Sequence, residues 1–317
     1  MAADDIGWDQ AGLDKALAFA ESRATKALVL LHGGRILAER YVGVGPDFRR
    51  EVASCQKSII SLLVGFAADR SLLALDDPVT DHLGVGWSNA GPEQEALITI
   101  RHLVSMTSGM DDQRRVVAAP GTVWSYNNDA YHQVQPVLET VTGAGIDALC
   151  TDWLWRGIGA TQSSWAARQG AGRNQVDAKG VPLWGLTMSA RDMARFGLLV
   201  QRHASWDGTS LVSADYLADA LSSSSAANPS YGYLWWLNGK DGYRIGADGS
   251  LESGPLVPGA PADLVAALGK DDQKIYVSRA EDLVLVRQGG QAGTRSRESL
   301  SDFDGELWRL VAAAHQG

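Results

Sequence analysis

A chain of 317 residues with 45% apolar and 21% charged side chains is long enough for one large domain or two interleaved ones, and it sits in the globular range, outside the disordered one. Its formal charge of −9, with no stripe of lysine and arginine, argues against a nucleic-acid partner. The longest apolar run, Ser58 to Ala68, is far short of the roughly 18 residues of a membrane span, and no basic-then-apolar leader opens the sequence, so a cytoplasmic chain without a membrane partner is expected.

Leu13, Ala16, Leu17 and Ala20 recur at helical spacing and predict an amphipathic helix over roughly Asp9 to Arg23. Ala27 to His32, Gly33-Gly34 and Arg35 to Val42 then read as a hairpin with a two-residue turn. The stretch from Ser54 to Arg70 is apolar on nearly every side, which predicts a helix inside the protein. Helical patterns with Gly- and Ser-rich connections follow to about residue 224, the clearest being Ser189 to His203. Tyr231 to Leu237, Gln273 to Ser278 and Leu283 to Gln288 read as strands, Gly239 to Gly269 as a long loop, and Ser301 to His315 as a closing helix. The fold class is therefore α+β: an antiparallel sheet built from both termini (residues 1–75 with 225–317) and flanked by helices, with a mainly helical domain (76–224) inserted.

Ser54 and Lys57 carry the first chemical signal. A serine ahead of an apolar run is an ordinary helix cap. The third helical position, however, favours a glutamate or glutamine, and the helix dipole opposes a lysine there. Burial also disfavours the charged form of that lysine, which makes it a candidate base. Residues at i and i+3 share a helix face, so the Lys57 amine can draw a proton from the Ser54 hydroxyl. Cys55 points about 100° away from Ser54 and reads as a packing residue. With only one other cysteine, Cys150, the chain has no disulfide framework and a reducing compartment is the default. A second signal is Tyr126-Asn127-Asn128, which on its own could be turn chemistry. Beside a lysine, Tyr126 can serve as a phenolic acid or base, while Asn128 can hold Lys57 or donate to a carbonyl. The six histidines and the carboxylates show no metal-ligand spacing, and no cofactor is expected. His32-Gly33-Gly34 is similar to an esterase oxyanion stretch but has no Gly-x-Ser-x-Gly elbow to serve.

Ser54-x-x-Lys57 followed by Tyr126-x-Asn128 resembles the Ser-x-x-Lys and Tyr-x-Asn motifs of the serine β-lactamase and penicillin-binding-protein superfamily, especially its class C and esterase-like branch. Leu75 to Val79, Ile98 to Leu103, Ser105 to Met110 and Ser189 to Gly197 are similar to stretches typical of that branch. The resemblance implies an acylated Ser54, Lys57 as its base, Tyr126 relaying the proton to the leaving group and Asn128 contacting both Lys57 and substrate. It further implies a third motif, Lys-Thr-Gly or His-x-Gly, on the strand beside the nucleophile. The matching place is read as Lys270-Asp271-Asp272-Gln273, where Lys270 fits but the glycine is gone, and the Gln273 N–H is expected to be the second oxyanion donor beside that of Ser54. Two aspartates where β-lactams carry a carboxylate count against a β-lactamase, which stands with a D-aminopeptidase as a lesser alternative. The expected activity is hydrolysis of a small ester or amide through acyl-Ser54. An acyltransferase using the same acyl-enzyme is the main alternative, and a non-catalytic relative the weakest.

Overall fold

In the computed structural model, residues 7–169, 174–246, 249–294 and 300–315 are described. The strands in chain order are β1 (Thr25–His32), β2 (Arg35–Tyr41), β3 (Arg49–Glu51), β4 (Ser164–Ala167), β5 (Trp184–Ser189), β6 (Ser205–Trp206), β7 (Thr209–Ser210), β8 (Trp236–Leu237), β9 (Gly242–Tyr243), β10 (Glu252–Ser253), β11 (Val265–Gly269), β12 (Gln273–Ser278) and β13 (Leu283–Gly289). The main sheet has six strands in the order β2-β1-β13-β12-β11-β8, every neighbouring pair antiparallel. The N-terminal hairpin thus joins the C-terminal strands through β1 and β13, and the sheet is built from both ends of the chain. At the β1–β2 turn Gly33 and Gly34 both take positive φ (58° and 72°), the conformation a two-residue hairpin turn demands.

Helices cover both faces of this sheet. Tyr276 meets Trp308 of the C-terminal helix Asp302–Ala314, which packs on the N-terminal helix Gln10–Glu21. Its neighbours Ile275 and Val277 point to the opposite face, where the helix Ala190–Gln201 approaches so closely that a Cβ on Gly197 would fall 2.5 Å from Val284. Although numbered within 76–224, this helix therefore packs on the sheet. A small sheet, β3-β5-β4, meets the main one where Gln288 Nε2 of β13 donates to Met188 O of β5 at 2.8 Å. The helix Gln56–Asp69 is buried along nearly its whole length, as its all-round apolar sequence predicts.

Two expectations are corrected. Tyr231 to Leu237 is not a strand over its length: only Trp236–Leu237 joins the sheet, Tyr231 bridges to Trp236, and Leu234 (φ +62°) turns the chain so that its N–H donates to Val104 O at 2.9 Å. Nor is Gly239 to Gly269 all loop, since Val265–Gly269 is a fully buried sheet strand. Small residues there hide its periodicity, because a strand covered on both faces need not alternate. Among the described residues no helix is long and apolar enough to cross a membrane.

Candidate active site

The helix carrying Lys57 begins in a 3₁₀ turn, Ala53–Cys55, that puts Ser54 at its head. Ala53 holds φ +51°, a left-handed conformation unusual for a residue with a Cβ, and Val52 N–H is tied to Leu186 O. Below the turn, the buried Cys55 thiol lies 3.3 Å from Ala267 O and 3.2 Å from Gln273 O, fastening the turn to β11 and β12. The Ser54 hydroxyl does not cap the helix. It accepts instead from Lys57 Nζ at 3.2 Å, and the same ammonium or amine donates to Asn128 Oδ1 at 2.7 Å. Lys57 is only 3% exposed, its Nζ 4.5 Å from the ring centre of Tyr131 and 4.9 Å from that of Tyr126. The capping alternative for Ser54 thus gives way to a serine–lysine–asparagine chain of hydrogen bonds.

Asn127, between the two residues singled out in sequence, does the structural work in the second segment. Its Oδ1 accepts from Ala130 N and caps the short helix Asn128–His132, while its Nδ2 donates to Met110 O and Asp111 O. Asn128 is thereby fixed at the first helical position, facing Lys57. The Tyr126 ring stacks on Trp236 with centroids 5.8 Å apart, and Trp124 and Tyr231 stand near both. Trp236 and Tyr231 therefore back the tyrosine and, like Tyr233 and Trp235, do not line the cleft.

Ser54, Lys57, Tyr126, Asn128 and Lys270 border one cavity of about 1340 Å³. Gln273 does not: it is fully buried behind the cavity. Of the two aspartates, Asp271 faces the cavity and pairs with Arg50 at 3.3 Å, whereas Asp272 turns inward to the buried Lys274 at 3.1 Å. The strand's close approach is made by Gly269, one residue before the expected motif. A Cβ there would lie 2.4 Å from Val52 O and 3.2 Å from Cys55 N. Ala267-Leu268-Gly269 thus runs beside the turn that carries Ser54. Cavity walls come mainly from residues 109–129, Arg168 and 174–183, and among the described residues none comes from 239–269.

Sequence reasoning missed His132, which borders the cavity one helical turn beyond Asn128. Burial, then the charges of Lys57, Arg168 and Arg114, hold its pKa well below the usual histidine range, so it is neutral at pH 7. Its i, i+4 spacing from Asn128 was the available signal. Arg168, also bordering the cavity and bonded to Glu51 Oε1 at 3.0 Å, carried none. Burial raises the Asp129 carboxyl above its ordinary value, and Asp177 and Asp112 add to the rise.

The sequence matches the family profile described as Beta-lactamase over residues 14–288. The chain belongs to that family. Similar solved structures include a candidate β-lactamase from Bacteroides dorei DSM 17855 (17% identity, TM-score 0.75, covering 98% of this chain and 100% of that one). A candidate 6-aminohexanoate-dimer hydrolase from Bacillus anthracis follows at 17% identity and TM-score 0.69, covering 94% and 81%. EstCE1, described as a hydrolase with promiscuous acyltransferase activity, matches at 15% identity and TM-score 0.70 over 97% and 99%. These likenesses establish the β-lactamase-like α+β fold.

Burial pushes the Cys55 thiol up to about 12, against the opposing pull of Lys274 and Lys57. Only the thiolate reacts with alkylating agents. Native protein at pH 8 should therefore resist iodoacetamide at Cys55 and take it up after unfolding. Rapid native labelling at Cys55, read by peptide mass spectrometry, would contradict its packing role.

Proposed function

We propose that this protein is a serine hydrolase that cleaves an ester or amide through an acyl-Ser54 intermediate. The observation that carries this reading is the placement of Lys57 Nζ, 3.2 Å from Ser54 Oγ and 2.7 Å from Asn128 Oδ1, at the wall of a large cavity. As Ser54 Oγ bonds to the substrate carbonyl carbon, neutral Lys57 takes its proton. The oxyanion is held by the N–H of Ser54 and, in place of Gln273, the N–H of Lys270, the first amide beyond the close approach at Gly269. The bond to the leaving group then breaks, and the proton reaches that group by way of Tyr126. Water repeats the cycle on the acyl-enzyme, returning Ser54 and releasing the acid.

The cavity also informs the substrate. Val117, Val123 and Val176 border it while 68%, 41% and 50% exposed, which suits an apolar group beside the reacting carbonyl. Alanine at 267, where the resemblance expects lysine or histidine two residues before the glycine, removes a cation for a β-lactam carboxylate. Acyl transfer is the second reading, favoured by the likeness to EstCE1 and by room for a second nucleophile.

The test is p-nitrophenyl acetate and butyrate turnover by wild type and Ser54→Ala. We expect a burst that needs Ser54, an acylated Ser54 in the mass spectrum and faster acylation by butyrate. Equal rates in the two proteins would remove Ser54 from the chemistry. A burst that stalls until an amine is supplied would favour transfer over hydrolysis, and fast nitrocefin cleavage would overturn the argument from Ala267.

A further inference from the structure

Lys270, Asp271 and Asp272 join β11 to β12 in a tight loop that borders the same cavity as Ser54. Asp271 (φ +61°) and Asp272 (φ +56°) are both left-handed, a conformation that aspartate adopts more readily than most residues but that is uncommon at two successive positions. Two fully buried polar side chains provide the restraint. Gln273 Nε2 donates to Asp271 O at 2.9 Å and to Gly289 O at 2.7 Å, with Lys270 O farther off at 3.4 Å. Its Oε1 accepts from Gly289 N at 3.2 Å, so both ends of the amide are engaged and its orientation is fixed. From the next strand, Arg287 donates through one guanidinium nitrogen to Asp272 O at 2.8 Å. The rest of that guanidinium is anchored on Thr25 Oγ1, Arg23 O and Gly290 O.

The loop carbonyls are thus tied toward the sheet interior. The Asp271 and Asp272 carbonyls so held fix the path of the chain just after Lys270, whose own N–H shares its peptide with the carbonyl of Gly269, the residue packed against Val52 and Cys55; Lys270 and Asp271 border the cavity. We propose that Gln273 and Arg287 are positioning residues that clamp the Lys270–Asp272 loop in the conformation needed to present the second oxyanion donor to Ser54. This inference rests on the acyl-Ser54 reading. It also gives Gln273 a role through its side chain instead of its own N–H.

The experiment compares wild type with Gln273→Met, which keeps length and volume but removes every amide hydrogen bond, and with Gln273→Asn as a milder second variant. Three quantities are read: the acylation burst with p-nitrophenyl acetate, the affinity for phenylboronic acid, whose tetrahedral adduct on Ser54 also needs the oxyanion donors, and the thermal midpoint. Acylation should slow by about 10- to 100-fold in Gln273→Met, with KM within about twofold and boronate affinity falling by a similar factor. A folded Gln273→Met that acylates at the wild-type rate overturns the clamp, as does slow acylation with unchanged boronate affinity. If both variants fail to fold, Gln273 secures the sheet and the clamp is likewise overturned. Absence of any Ser54-dependent reaction in wild type would instead overturn the acyl-enzyme reading, and the clamp with it.

Discussion

Lys57→Met should lower kcat/KM for an activated ester by about 10²–10⁴-fold while leaving the thermal midpoint unchanged or higher. The two halves of this expectation have different origins. Methionine matches the lysine stem in shape, so packing of the buried helix is kept. What disappears is the nitrogen that lies between Ser54 Oγ and Asn128 Oδ1, and with it, on the proposed acyl-Ser54 reading, the acceptor for the serine proton. A polar nitrogen held at 3% exposure carries a desolvation cost, so its removal relieves the fold even as it disables the site. Stopped-flow ester hydrolysis and a thermal melt on the same sample read both. An active variant would make Lys57 a structural residue, and a large fall in stability would attribute lost activity to misfolding.

How much of this was legible in the sequence follows from the range of the interactions involved. Ser54 and Lys57 were legible because their relation is local: two residues three apart at a helix start, one of them the wrong residue for a cap. The hairpin at Gly33-Gly34 and the buried helix after Ser54 were legible for the same reason. The meaning of Gly269 was not, because it lies in contacts with Val52 and Cys55, more than two hundred residues earlier. Without those contacts the lysine at 270 drew the expected glycine position three residues along the chain, to Asp272, and the second oxyanion donor was expected at Gln273, which the fold buries behind the cavity. Leu234 shows another limit. Four aromatic residues around it have strand propensity, but its positive φ and its bond to Val104 O make a turn, so tertiary contact overrides local preference. The cavity walls at 109–129 and 174–183 come from segments whose approach only the tertiary fold determines.

Lys274→Met should destabilise the fold by about 3–5 kcal/mol at neutral pH, the range seen when one partner of a buried ionic group is removed. Lys274 is fully buried and lies 3.1 Å from Asp272 Oδ1 and 2.8 Å from Asp304 Oδ1, so the substitution leaves two carboxylates in the interior without its charge. Asp272 keeps the Ala292 N–H at 2.7 Å and Ser301 Oγ at 3.1 Å, and Asp304 keeps the Ser301 N–H, which cushions the loss without balancing it. The pH dependence gives the stricter check. Burial by itself would raise the Asp272 carboxyl; Lys274, the Ala292 N–H and Arg287 outweigh it and hold the group below its ordinary value. A carboxyl depressed in the folded state contributes stability that is present above its unfolded pKa of about 3.9 and is lost as pH falls through the lower folded value. Without Lys274 the burial effect dominates and the sign reverses: the folded state then prefers the protonated acid, and its penalty is largest at neutral pH and fades as pH falls. The gap between wild type and Lys274→Met in denaturant unfolding should accordingly be widest near pH 7 and narrow toward pH 4. A gap independent of pH would mean that lost packing, and not the charge on Lys274, is what the substitution removes.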